Sequence, residues 1–145
     1  MRLFMVLTVV TLAACGGAPT TVNSPGAAGF DAMSGPQKMA FMKGTVAPEM
    51  KVEFQAFDGH DYAAFDCKTC HGAGASAGNF KMPNPDLPRL DVAHAFTKDR
   101  ATHPKEMEFM QHEVQPRMAK MLGQPEHSAA HPDGFGCMDC HTAAQ

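Results

Sequence analysis

Cys67-Lys68-Thr69-Cys70-His71 and Cys137-Met138-Asp139-Cys140-His141 each set two thiols three residues apart, with an imidazole directly after the second. Thiols at that spacing can form thioethers to the two vinyl groups of one haem, and the adjoining His can ligate its iron. C-x-x-C-H is accordingly the attachment pattern of c-type haem. From the Cys and His content of the chain, a single chance copy is expected on the order of once in a hundred such sequences. The chain has two. Paired thiols also hold zinc, but zinc ribbons typically set their pairs about 15–20 residues apart. Here Cys70 and Cys137 are 67 apart, and zinc gives no reason for a His after both pairs. The motifs predict two covalent haem c groups, bound by Cys67, Cys70, Cys137 and Cys140 and ligated by His71 and His141.

A helix must precede each motif. Ser34, Pro36 and Gln37 form a helix-start signal of the capping-box kind. Met39, Met42, Val46, Met50 and Phe54 follow at helical spacing, which predicts a helix from about Pro36 to Phe57, bent near Pro48. Met39-x-Phe41-Met42, Val46, Pro48 and Met50 align without gaps on Met107-x-Phe109-Met110, Val114, Pro116 and Met118, an offset of 68. The two motifs are offset by 70. An internal duplication of a helix, turn and C-x-x-C-H unit accounts for both offsets. Thr102 and Pro104 start the second helix, and Gly123 followed by Pro125 ends it. The Gly-, Ala- and Pro-rich stretch between His71 and Asp91 predicts a loop, and Asp91 to Arg100 a short helix. No alternating strand pattern of useful length occurs. The expected fold is mainly α with extensive loops, as two repeated units (about 36–71 and 104–141) packed around two covalent haems. Two macrocycles would supply apolar volume that so short a chain lacks.

Twelve Met and eight His provide candidates for the sixth iron ligands. A Met thioether raises the reduction potential, a second His lowers it relative to Met, and an open position binds gas or peroxide. Met39, Met42 and Met50 are the candidate ligands present in both copies, and Met39, Met42, Met107 and Met110 fit core packing. Met82 is a rival for the first haem. Bis-His ligation is the other rival, through His60, His94, His103, His112, His127 or His131, each of which is unmatched between the repeats and singly fits a surface position. Here the unit resembles those of the cytochrome subunit of photosynthetic reaction centres, in which a Met-bearing helix precedes each C-x-x-C-H. Pro116-Arg117-Met118-x-x-Met121-Leu122-Gly123 is similar to that family's helix end. The resemblance implies Met118 as axial ligand to the second haem and, by the repeat, Met50 to the first. The chain has two haem sites where that subunit has four.

Upstream, Arg2, the apolar run Leu3 to Leu12 and Leu12-Ala13-Ala14-Cys15 form an export signal too short to span a bilayer. The ending resembles a bacterial lipobox. That resemblance implies removal of residues 1–14, a lipid on Cys15, and anchoring to a membrane of the cell envelope, on the periplasmic side or at the outer membrane. Residues 15–35, rich in Gly, Ala, Pro, Ser and Thr, read as a tether reaching roughly 25 Å, and 36–145 as the dihaem domain. Haem and lipid then account for all five cysteines.

The formal charge of −3 does not suit nucleic acid, whose partners are usually basic. No Ser-His-Asp set, phosphate loop or carboxylate pair is spaced for catalysis. The expected function is single-electron transfer between membrane-associated redox partners, not enzymatic turnover. The alternatives are a dihaem peroxidase with one open haem and a haem-based gas-binding or sensor module.

Overall fold

The computed structural model describes residues 29–144. They form a mainly helical structure, and the extended pairing among them is confined to two isolated bridges, Leu90 with Ala143 and Glu126 with Phe135.

The first long helix is continuous over 35–57 but not uniform. It consists of α1 (Gly35–Phe41), a π-helical turn (Met42–Val46) and α2 (Ala47–Phe57). At its start, the Gln37 side-chain oxygen accepts from the Ser34 N–H at 2.8 Å, as the capping signal predicts. Pro48 lies just past the π turn, inside the continuous helix, where its missing N–H removes one helical hydrogen bond. The disturbance expected near Pro48 is a widening one turn upstream, in which the Ala47 N–H reaches back five residues to the Met42 carbonyl. The second long helix repeats the device as α5 (Pro104–Phe109), a π turn (Met110–Val114) and α6 (Gln115–Leu122), with Pro116 in the same place. Both π turns lie at the offset of 68 found in the sequence. Gly123 ends α6 at φ 70, the left-handed conformation that glycine takes at least cost, and the Gln124 N–H returns to the Ala119 carbonyl.

The two long helices pack antiparallel. Phe57 stacks on Phe109 with ring centroids 4.3 Å apart, Phe54 meets Phe109 edge-on at 5.1 Å, and Arg117 reaches Glu53 at 3.4 Å. Phe41, Val46, Met50, Phe54, Phe109, Ala119, Met121, Leu122 and Phe135 make one buried cluster. Each large apolar side chain in it contributes roughly 1.5–3 kcal/mol of transfer free energy.

Residues 29–35, which composition assigns to the tether, are attached to this fold. Phe30 lies in a 3-10 turn and packs on Phe41 at 6.0 Å, and the Lys38 ammonium sits 5.0 Å from its ring centre. Asp31 accepts from the Gln124 side chain at 3.0 Å, and Met33 packs against the core. Two apolar anchors within a Gly- and Ala-rich stretch are enough to extend the folded part back to Gly29. The expected export signal, Cys15 and the tether up to residue 28 lie outside the described residues. Among the described residues, no helix is long and apolar enough to cross a membrane.

Between the units, the predicted loop contains a 3-10 turn (Ala73–Ala77). The expected short helix is a 3-10 turn (Val92–His94) followed by α4 (Thr97–Thr102).

Candidate functional site

Each Cys-x-x-Cys-His segment is docked by an aromatic residue two positions before its first cysteine. Phe65 packs on Phe54 at 5.2 Å, and Phe135 is itself part of the buried cluster. This Phe-x-Cys-x-x-Cys-His match is written in the sequence at the same offset of 70 as the motifs, and a reading confined to the cysteines misses it. A second matched role falls on the residue before each second cysteine. Thr69 Oγ1 accepts from the Asp66 N–H at 3.1 Å, and Asp139 Oδ2 accepts from the Gly136 N–H at 2.7 Å. Each side chain folds back to satisfy a donor that the start of a helical turn leaves open.

The first segment is α3 (Cys67–His71), with the Asp66 carboxylate accepting from the Lys68 N–H at 2.7 Å. Gly72 follows at φ 67, where a Cβ would run into the Asp86 and Asn84 side chains. The second is a tighter 3-10 turn (Cys137–Asp139), and the His141 N–H bonds back to the Cys137 carbonyl at 2.9 Å. Its approach depends on Gly134, whose Cβ would lie 2.6 Å from the Glu126 carbonyl oxygen.

All four thiols are free, with Cys67 exposed and the other three half-buried. Burial pushes the Cys70 thiol up to about 11. It raises Cys140 further, to about 12, with added repulsion from Cys70, Asp139 and Cys137. These thiols stay protonated near neutral pH. Among the described residues, Asp58, His60 and Asp61 are the only group of three or more His, Cys, Asp or Glu whose ligating atoms lie within 4.8 Å of one another, and His60 and Asp61 of that group are exposed. The four cysteines therefore form no zinc-type cage.

His141 Nδ1 lies 2.8 Å from the Pro88 carbonyl oxygen, so that nitrogen carries the proton and donates it. Nε2 is left as the ring nitrogen with a lone pair, the arrangement by which a carbonyl orients a metal-binding His. His71 differs. Its Nδ1 is buried with no hydrogen-bond partner, the Phe80 ring stands edge-on at 5.4 Å, and burial holds its pKa below the ordinary value, partly offset by the Phe80 backbone. His71 also lines a cleft of about 520 Å³ together with Lys81, Pro83, Asn84 and Asp86.

The structure separates the methionines. Met50 is 2% exposed inside the core, while Met118, like Met42, Met110 and Cys140, packs against it half-buried. Met82 is half-buried next to Pro83. His60, His94, His103, His112, His127 and His131 are all exposed, and several are engaged elsewhere: His60 with Asp61, His94 with Asp91, His112 with Glu108.

Comparison of the chain with protein-family models, with curated proteins and with solved structures found no match.

Proposed function

We propose that this chain is a dihaem c-type cytochrome that carries single electrons between redox partners at a membrane, held there by a lipid on Cys15. What carries the reading is the presence on one small core of two Cys-x-x-Cys-His turns whose thiols are neither paired in disulfides nor gathered into a metal cage.

The donor set fits the group. His141, with Nδ1 committed to Pro88, offers Nε2 to an iron, and His71, next to Cys70 in sequence, lines a cleft. Bound haem would supply a reversible one-electron iron couple. Each thiol would hold its haem through one thioether bond. Cys67 and Cys70 would hold one group, Cys137 and Cys140 the other. Met118 and Met50, the matched methionines, are the proposed sixth ligands. The lipid anchor rests on Leu12-Ala13-Ala14-Cys15, and the redox partners would be membrane-associated donors and acceptors; no nucleic-acid role is proposed.

The test is expression with c-type maturation, followed by optical spectra and exposure of the reduced protein to carbon monoxide. Haem that resists acid extraction, with little carbon monoxide binding, is the expected result. Absence of covalent haem, or stoichiometric zinc in its place, would contradict the reading.

A further inference from the structure

One residue between the two units touches both attachment turns. Asn84 is 3% exposed, the one buried polar residue among those described. Its backbone N–H donates to the Cys140 carbonyl at 2.9 Å, and its side-chain Nδ2 donates to the Cys70 carbonyl at 3.0 Å. The second cysteine of each motif thus hangs from the same residue. The remaining groups of Asn84 are also satisfied: Oδ1 accepts from the Asp86 N–H at 2.9 Å, and the backbone carbonyl accepts from the Leu87 N–H at 3.3 Å. A buried amide with every group engaged in good geometry admits few alternative arrangements of its partners.

The segment around it is a strap laid over both turns. Asp86 Oδ2 accepts from the Ala73 N–H, just past the first motif, at 3.3 Å. Pro88 holds His141 by its carbonyl. Leu90, buried, donates to the Thr142 carbonyl at 2.9 Å and accepts from the Ala144 N–H at 2.8 Å, just past the second motif. Gly72 has no Cβ where the Asn84 and Asp86 side chains approach. Residues 84 and 86 bond to the first motif or just past it, and residues 84, 88 and 90 to the second or just past it, so Asn84 is the position where one short strap is tied to both.

The geometry points to Asn84 as a positioning residue that fixes the spacing and mutual orientation of the two attachment turns, and through them the electronic contact between the two haems. This rests on the dihaem reading above. An apolar residue at position 84 would leave the Cys70 carbonyl and the Asp86 N–H unpaired. An Asp would keep the acceptor for Asp86 and set a carboxylate oxygen against the Cys70 carbonyl in place of the donor. Neither change touches a thiol, an imidazole or a methionine.

The experiment uses the full chain loaded with two haems, the variants Asn84→Ala and Asn84→Asp, and a one-haem reference carrying Cys137→Ser and Cys140→Ser. Oxidised samples are compared by electron paramagnetic resonance after intact mass has counted the haems. In the parent protein, spin–spin broadening absent from the one-haem reference is expected. In both Asn84 variants that broadening is lost or altered while the mass still shows two haems. Two haems with unaltered broadening in the variants would overturn the inference, as would a dihaem parent with no broadening relative to the reference. Should Asn84→Ala fail to load, Asn84→Asp decides. Failure of both to load would assign Asn84 to folding instead and overturn the spacing role. A parent protein without haem would instead refute the dihaem reading itself.

Discussion

The two Cys-x-x-Cys-His turns share one repeated sequence pattern but are held differently. The first is a capped α-helical turn ended by Gly72, with a His whose Nδ1 has no partner and which faces a cleft. The second is a tighter turn, docked by a core Phe135, with a His tied to Pro88. What the copies share is local: an aromatic two residues before the first cysteine, and a side chain before the second that folds back on the turn. The difference between the two histidines comes from the strap, which follows the first motif in sequence and bonds to His141 of the second through Pro88. The matched sequence sets the local structure of both turns, and the connector, present once, meets them unequally.

The largest break in that comparison comes from the docking aromatics. Phe135→Ala removes a buried ring and should destabilise the protein by about 3–5 kcal/mol. Phe65→Ala, at a half-buried site, should cost distinctly less. Urea midpoints at unchanged slope measure both. Gly72→Ala comes next: a side chain at φ 67 that also meets Asn84 and Asp86 should cost at least about 1–3 kcal/mol. Its effect should fall on the first turn, seen as faster amide exchange at Cys70 and His71. The caps follow, with Asp66→Ala and Asp139→Ala expected to cost about 1 kcal/mol each, one per turn. Smallest is Arg117→Ala, whose bridges to Glu53 and Glu113 are partly exposed. Roughly 0.2–1 kcal/mol, shrinking as salt is raised, is expected there.

Much of the frame was legible in the chain. The apolar stripe from Met39 to Phe54, its copy from Met107 to Met118, and the Gly123 stop are local signals, and the structure follows them. The π turns were not legible as such. Pro48 and Pro116 announce a disturbance, but whether a helix kinks or widens depends on packing one turn upstream. The docking of Phe30 and Met33 was not legible, because composition averages over the two residues that pack on the fold. The strap was invisible because a Gly- and Pro-rich loop carries no periodicity, and the bonds of Asn84 join residues far apart in sequence. The roles of Met50 and Met118 rest on the repeat and the resemblance. The structure distinguishes them by burial, Met50 within the core and Met118 at its edge.

Intact mass after expression with c-type maturation tests the central claim most directly. The parent chain, a variant with Cys67→Ser and Cys70→Ser, and a variant with Cys137→Ser and Cys140→Ser would be weighed together. Two covalent haems on the parent and one on each variant is the predicted result. A parent chain that carries no haem, or that loses none when either pair is removed, would contradict it.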